Sequence, residues 1–200
     1  MRRLSPTTEQ PEAADDAGLL RAHASGDPQA FTRLYDRHDR PCFLFIRRLL
    51  GAGHADAAED LHQETWIAIS RNARGFDPGK ASFRSWMFVI ARRKVWDHFR
   101  REQVANLASD GAEVVMNLPD DGPTPLDHVE SRELAQRLVD AVEALPLAQR
   151  EVFLLSAHAG LSLDEIATAT GVGVETAKSR LRYARGALRL RLAAERPAHV

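Results

Sequence analysis

Residues 162–182 of the chain read SLDEIATATGVGVETAKSRLR. Ser162, followed three residues later by Glu165, has the pattern of a capping box and predicts that a helix begins here. Gly171 suits the left-handed position that ends a helix, and Gly173 can cap the helix that follows. The segment therefore predicts a short helix, a tight glycine turn and a second, longer helix.

The second helix carries two stripes that differ in character. Apolar residues spaced by three and four predict a buried side, formed by Val174, Ala177, Leu181, Ala184 and Leu188. Basic residues at the same spacing form another side, made of Lys178, Arg182, Arg185 and Arg189. This combination is typical of a helix-turn-helix whose second helix enters the DNA major groove, where Thr176, Ser179 and Tyr183 can reach base edges. A solvated basic face on an ordinary helical bundle is the alternative.

The rest of the sequence also predicts helices, so the expected fold class is all-α. No stretch alternates apolar and polar residues long enough to indicate a sheet. We expect helices over about 27–39, 56–73 and 83–101, with an apolar segment from Cys42 to Leu50 between the first two. Asp56 and Glu59 have the spacing of a second capping box.

Composition and charge limit the functional classes. The chain has 200 residues, 44% of them apolar, and one cysteine, Cys42, which excludes a disulfide scaffold. No apolar run approaches the roughly 18 residues of a membrane span, and the polar N-terminus does not resemble a signal peptide, so we expect a cytoplasmic protein. The net charge of −1 conceals a charge of +6 over 80–101, −7 over 102–131 and +5 over 174–191. The two basic blocks are plausible anion-binding surfaces.

This pattern predicts two small helical domains joined by a flexible acidic linker. The expected boundaries are a flexible tail over 1–24, an N-terminal module over 25–101, the linker over 102–131 and a C-terminal module over 132–195. The linker contains glycines and prolines among its acids. Leu145-Pro146 separates two helices of the C-terminal module.

The helix over 83–101 mixes cations with aromatic residues. Arg93, Trp96 and Arg100 share one side, and Phe88 belongs to an apolar core side with Ala91, Val95 and Phe99. Cations beside aromatic rings suit single-stranded DNA, whose unpaired bases stack for roughly 1–3 kcal/mol each. We expect Trp86 to be a core residue, whereas Trp96 is equally consistent with core packing and DNA contact.

The helix over 56–73 carries an acidic face formed by Asp56, Asp60, Gln63 and Glu64. Clustered like charges destabilise a helix unless a basic partner compensates, which favours a protein-docking face over a merely solvated one. Glu59 and His62 form a Glu-x-x-His motif, but a helical di-metal site needs a second copy, which the sequence lacks. We expect no metal, no cofactor and no catalytic residue.

These motifs together resemble those of group IV bacterial sigma factors, the extracytoplasmic-function (ECF) class of the sigma-70 family. The segment from Asp60 to Glu64 is similar to the family's D-L-x-Q-E motif, and Phe83-Arg84-Ser85-Trp86 with 97–101 resembles its −10-reading segment. The segments 160–167 and 176–181 resemble the −35-reading domain. The chain departs from the family pattern at Arg93, often asparagine, and at Ala177, usually valine.

The resemblance implies a promoter-specificity subunit rather than an enzyme, with sigma region 2 over 25–101 and sigma region 4 over 132–195. Its implied partners are core RNA polymerase through the clamp helices, duplex DNA at −35, single-stranded DNA at −10 and an anti-sigma factor, without membrane insertion. The resemblance also implies that the protein acts in transcription initiation at the nucleoid, for example during a stress response. The implied polymerase-binding residues are Asp56, Asp60, Gln63 and Glu64. The implied −10 DNA-binding residues are Lys80, Arg84, Arg92, Arg93, Trp96 and Arg100. The implied −35 DNA-binding residues are Thr176, Lys178, Ser179, Arg180, Arg182, Tyr183 and Arg185.

Two other classes of protein remain as alternatives. A stand-alone helix-turn-helix regulator would bind a duplex operator tightly without polymerase and would not need the acidic face. A helical metalloenzyme would use Glu59, His62 and Glu64 as ligands.

Overall fold

The computed structural model of the chain describes residues 15–108 and 129–194. Within these ranges the chain forms α-helices, two short 3₁₀ helices and no strand, which confirms the predicted all-α class. The helices are α1 (Asp16–Ala24), α2 (Pro28–Leu50), α3 (Ala57–Asn72), α4 (Phe83–Ala108), α5 (Val129–Glu143), α6 (Leu147–Ala157), α7 (Leu163–Thr170) and α8 (Val174–Ala194). The 3₁₀ helices are Ala52–His54 and Ala73–Gly75.

Helices α1 to α4 form an N-terminal bundle around the long helix α2. The sequence predicted a break between residues 39 and 42, but α2 continues through Pro41. A proline inside a helix costs about 3 kcal/mol because it removes a hydrogen bond. Leu34 before Pro41, and Phe45 and Ile46 after it, are all fully buried, so shared burial on one core outweighs this cost.

Three predicted boundaries differ from the structure. Residues 16–24, predicted as tail, form α1, which buries Leu19 and Leu20; residues 1–14 lie outside the described ranges. Helix α4 extends to Ala108 rather than ending at 101, because residues 102–108 contain neither glycine nor proline to stop it. Helix α5 begins at Val129, and the predicted linker between 109 and 128 lies outside the described ranges.

The predicted capping box at Asp56 is wrong. Asp56 precedes α3 with helical angles, φ −62° and ψ −30°, and its side chain makes no capping hydrogen bond. The preceding residue, Ala55, is also helical. A capping side chain needs an extended backbone, which this continuous helical path does not provide.

Helices α5 to α8 form the C-terminal module. The predicted break at Leu145-Pro146 is confirmed, since α5 ends at Glu143 and α6 begins at Leu147 after Pro146. The module contacts α2 through α5 and α6. Arg150 of α6 links the two modules by donating to the carbonyl oxygen of Leu49 in α2 at 3.2 Å, and it also donates to that of Leu145 within its own module at 3.2 Å.

Candidate functional site

Helices α7 and α8 form the predicted helix-turn-helix. Ser162 Oγ accepts from the Glu165 backbone N–H, and the Glu165 carboxylate accepts from the Ser162 N–H, so the capping box is confirmed. The Ser162 backbone N–H and hydroxyl both donate to the Glu165 carboxylate, and these two hydrogen bonds hold the pKa of Glu165 below its ordinary value. Gly171 ends α7 with a left-handed φ of 69°, a conformation that glycine adopts without a steric penalty. The tight turn lets α8 follow at once.

The two stripes of α8 are separated as the sequence predicted, with one exception. Ala177, Leu181, Ala184 and Leu188 are buried, whereas Val174, expected on that side, is 39% exposed. Val174 is the first residue of α8, where less of the module covers the helix. Lys178, Arg182 and Arg185 line one open groove with Leu163 and Arg189. This groove is a continuous basic surface suited to a phosphate backbone.

Not every predicted −35 residue lies in this basic groove. Thr176 and Tyr183 are exposed on a neighbouring flank of α8, where the Arg182 guanidinium lies 5.2 Å from the centre of the Tyr183 ring. Ser179 is half-buried. Arg180 instead lines a cleft between the modules, together with Arg92 and Trp96.

The predicted −10 residues on and before α4 fall into two groups. Lys80, Arg93 and Arg100 expose 84%, 83% and 74% of their side chains, and each forms an ion pair with a nearby aspartate. Arg84, Arg92 and Trp96 contact the C-terminal module instead. Phe88, Ala91 and Val95 are buried as predicted, and Trp86 packs against the core.

The contacts of the second group converge on α6 and the residue that follows it. Arg92 Nε and Trp96 Nε1 both donate to Glu151 Oε1, each at 2.5 Å, and the Glu151 residue is 2% exposed. Arg84 donates to the backbone carbonyl of His158. In this arrangement three of the predicted DNA-facing groups of α4, those of Arg84, Arg92 and Trp96, are therefore occupied by the chain's own C-terminal module.

The acidic face of α3 is largely open. Asp56, Asp60 and Gln63 are exposed, while Glu64 accepts from Lys94 of α4 at 2.9 Å. The opposite face, with Ala58, Leu61, Thr65 and Ile69, is buried. Three of the four predicted docking residues are thus available to a partner in this conformation.

The Glu-x-x-His motif of α3 does not form a metal site among the described residues. His62 is buried, and its Nε2 accepts a 3.0 Å hydrogen bond from Trp66 Nε1. Burial lowers the pKa of His62, although Asp39 at 3.0 Å opposes this effect. Glu59 is exposed and Glu64 pairs with Lys94. The side chains of Glu59, His62 and Glu64 therefore do not converge on one position where a metal ion could bind.

Sequence reasoning missed the residues of the C-terminal module that face α2 and α4. Glu151 is a charged residue on an otherwise apolar helix face, with buried Val152, Leu154 and Leu155 beside it. A glutamate at that position could have indicated a contact with another part of the chain, because a buried carboxylate requires a partner. His158, which accepts from Arg48 Nη1 at 2.6 Å, left no such signal in the sequence.

Comparisons with known proteins agree with this architecture. The chain matches the sigma-70 region 2 family over residues 34–104 and the sigma-70 region 4 family over residues 135–188. It is 32% identical to RNA polymerase sigma factor NccH of Alcaligenes xylosoxydans xylosoxydans, over 86% of this chain and 92% of NccH. It is 31% identical to ECF RNA polymerase sigma factor SigK of Mycolicibacterium vanbaalenii, over 86% of each chain.

Solved structures show the same fold. CnrH in complex with the cytosolic domain of CnrY is 27% identical, with a TM-score of 0.60 over 90% of this chain and 98% of CnrH. The sigma factor RpoE of Bartonella quintana, in complex with the anti-sigma factor NepR, is 25% identical, with a TM-score of 0.66 over 83% of this chain and 98% of RpoE.

The chain therefore belongs to the sigma-70 family of RNA polymerase sigma factors. Within that family it is a group IV, extracytoplasmic-function sigma factor, as its motifs predicted. The family is one of specificity subunits rather than enzymes, and membership favours the sigma-factor hypothesis over a stand-alone regulator. None of the helices in the described ranges combines the length and apolarity needed to cross a bilayer.

Proposed function

We propose that this sigma factor directs core RNA polymerase to promoters through three surfaces of its own chain. The acidic face of α3 binds the polymerase clamp helices, α4 holds the unpaired −10 strand, and the basic groove of α8 reads the −35 duplex. The observation that carries the proposal is the helix-turn-helix with its basic groove, lined by Lys178, Arg182 and Arg185. In this proposal no bond is made or broken by the chain.

The −35 assignment rests on the exposure and charge of α8. Lys178 exposes 60% of its side chain and pairs only weakly with the exposed Glu175 at 3.3 Å, so it can exchange this contact for DNA. We assign Lys178, Ser179, Arg182 and Tyr183 to base edges, and Arg185 and Arg189 mainly to phosphates. If about six phosphates are contacted, log K should fall with log salt at a slope near −5.

The −10 assignment requires the two modules to separate. Arg92 and Trp96 cannot bind bases while both donate to Glu151. Lys80, Arg93 and Arg100 are exposed and can make the first contacts with DNA phosphates. We therefore propose that polymerase binding holds the modules apart, which frees Arg84, Arg92 and Trp96 for the melted strand.

The regulator that we propose is an anti-sigma factor acting at the nucleoid in the cytoplasm. Support comes from the two solved relatives, since CnrH was captured with CnrY and RpoE with the anti-sigma factor NepR. In this chain such a protein would act by covering α3 or α8, or by favouring the arrangement in which Glu151 holds Arg92. A partner that stabilises this arrangement would keep the −10 surface closed.

The proposed polymerase contact can be tested by transcription in vitro with core RNA polymerase on a genomic fragment library. The wild-type chain should select discrete start sites, and the double charge reversal D60K/E64K should abolish initiation while leaving the far-UV circular dichroism unchanged. Asp140→Lys is a matched control, because it reverses an exposed charge on α5 outside all three surfaces.

Two outcomes would contradict the proposal. Normal transcript yield from D60K/E64K would refute the docking assignment on α3. Failure of the wild-type chain to confer start-site selection on core polymerase would refute the function as a whole. Because Glu64 also pairs with Lys94, the single variant D60K separates lost docking from a weakened α3–α4 contact.

A further inference from the structure

A cluster of two histidines and one glutamate lies at the junction of α2, α3 and α4. His54 ends the 3₁₀ helix that precedes α3, and His98 and Glu102 lie four residues apart on α4. His54 Nδ1 is 3.2 Å from Glu102 Oε2, and His98 Nε2 is 3.3 Å from Glu102 Oε1. One atom from each of the three side chains lies within 4.8 Å of the other two. Residues 44 positions apart thus converge on a single carboxylate.

The distances match those between the ligands of a small transition-metal ion. Zinc binds histidine nitrogen and carboxylate oxygen at about 2.0–2.2 Å, so neighbouring ligands of a tetrahedral ion lie about 3.3–3.6 Å apart. Glu102 Oε1 lies 3.3 Å from His54 Nδ1 and 3.3 Å from His98 Nε2, at the lower end of this range. The spacing of His98 and Glu102 directs both side chains to one face of α4, as helical metal ligands require.

The surroundings of the His54 and His98 rings favour binding of a metal ion. His98 Nε2 is buried and makes no hydrogen bond to any described residue, although Glu102 Oε1 is 3.3 Å away. The His54 ring packs edge-on against the Phe99 ring at 5.3 Å and against the His98 ring at 5.9 Å, which limits its rotation. A buried nitrogen without a hydrogen bond is costly, and a metal ion would remove that cost by accepting its lone pair.

We propose that His54 Nδ1, His98 Nε2 and a Glu102 carboxylate oxygen form a binding site for a divalent transition-metal ion of the zinc type. Imidazole ligands favour zinc, nickel, cobalt or copper over magnesium and calcium, which prefer oxygen. Three protein ligands leave a fourth position for water or a group from a partner. The bound ion would join the segment before α3 to the C-terminal half of α4. The site itself does not depend on the function proposed above.

The test uses the full chain, without a histidine tag, and Zn²⁺ or Co²⁺ as the probe. After dialysis, the wild-type chain should retain about one equivalent of Zn²⁺, unfold at a higher temperature with Zn²⁺ than with a chelator, and give a visible Co²⁺ absorption band of tetrahedral type. His54→Gln and Glu102→Gln should each weaken Zn²⁺ binding by at least about tenfold. His23→Gln is the matched control, because His23 lies elsewhere and contacts Ser70.

The outcomes separate a metal site from a hydrogen-bonded cluster. The proposal is overturned if the wild-type chain binds Zn²⁺ no tighter than the H54Q/H98Q double variant, or if Zn²⁺ leaves the unfolding temperature unchanged. Should H98Q fail to fold, Glu102→Gln still decides the question, since it removes the charged ligand at a side chain that is 39% exposed and therefore tolerates the change more readily. Binding can be measured without polymerase or promoter DNA, so its failure is distinguishable from a failure of the sigma-factor assignment.

Discussion

The Nε atom of Arg92 lies 2.5 Å from the Oε1 atom of Glu151, and this contact joins α4 of the N-terminal module to α6 of the C-terminal module. The Arg92 side chain is 18% exposed and that of Glu151 only 2%, so the ion pair is largely removed from water. The buried Glu151 carboxylate needs a cation or hydrogen-bond donors beside it, because an isolated buried ion costs several kcal/mol. The residue that we assign to −10 DNA is therefore also a residue that holds the modules together.

Removing the charge of Glu151 should allow the N-terminal and C-terminal modules to separate. Glu151→Gln keeps the size of the side chain but leaves Arg92 without its counter-ion, and breaking such a buried pair costs roughly 3–5 kcal/mol. We expect a larger radius of gyration in small-angle scattering and tighter binding of a single-stranded −10 oligonucleotide. Glu175→Gln, at an exposed pair on α8, should change neither quantity. Unchanged compactness and DNA affinity in Glu151→Gln would contradict a closing role for this contact.

Acid should also loosen the contact between the modules, through His158. Burial, and then the cations of Arg48 and Arg84, lower the pKa of His158 from its ordinary value of 6.5. His158 therefore takes up a proton more readily when the modules separate. The arrangement with the modules in contact loses stability relative to the separated one as the pH falls below 6.5. We expect scattering to show expansion between about pH 7.5 and about pH 5.5.

The variant His158→Gln isolates this effect, because glutamine can keep a hydrogen bond to Arg48 but does not titrate. The expansion on acidification should be smaller in this variant and unchanged in His23→Gln, whose ring contacts Ser70 within the N-terminal module. An identical pH dependence in His158→Gln and the wild type would assign the expansion to other groups.

The capping box should contribute measurably to the stability of the C-terminal module. Ser162→Ala removes the hydroxyl that accepts from the Glu165 N–H, and loss of such a cap costs about 0.5–2 kcal/mol. Urea unfolding should report this loss in the free energy of unfolding. Thr168→Ala is the control, because its hydroxyl bonds only a carbonyl within α7 and should have little effect. Equal stability of both variants would show that Ser162 is not an effective cap.

Cys42 should be inert in the native protein. Burial, and to a lesser extent the nearby Asp39 carboxylate, raise the pKa of the Cys42 thiol to about 12. The reactive thiolate is therefore scarce at neutral pH, and the side chain is fully buried. Iodoacetamide should add no mass to the folded chain but one adduct after unfolding in denaturant. Rapid labelling of the native chain would instead indicate that this part of the core opens readily.

Two arginines of α8 should affect DNA binding in different ways. Arg182→Ala should cost about 1–3 kcal/mol on the preferred −35 duplex and reduce discrimination between sequences, because Arg182 is assigned to base edges. Arg189→Ala should weaken binding equally on all duplexes and reduce the salt slope by about one, as expected of a phosphate contact. Fluorescence anisotropy at several salt concentrations measures both effects. The same loss on every sequence for both variants would refute the assignment of Arg182.

Local sequence patterns predicted much of the helical framework. Gly171, the Ser162–Glu165 box and the Leu145-Pro146 break act over three or four residues, so the structure follows them closely. The predicted helix end near residue 39 and the predicted cap at Asp56 were both wrong. Packing around Pro41 and the helical turn before Asp56 outweighed the local signals. Sequence patterns at helix ends reflect only the local preference of a segment. Whether the segment is buried depends on which other parts of the chain pack against it.

The sequence by itself determined the all-α class, the helix-turn-helix and the division of α8 into a buried and a basic side, because helical periodicity fixes which residues share a face. Only the tertiary structure decided that Arg92 and Trp96 meet Glu151, and that His54 meets His98 and Glu102. These pairs are separated by 44 or more residues, and no local periodicity encodes which distant faces come into contact. Their meeting follows from how the helices pack, since burial of apolar faces positions the polar groups at the edges of each contact.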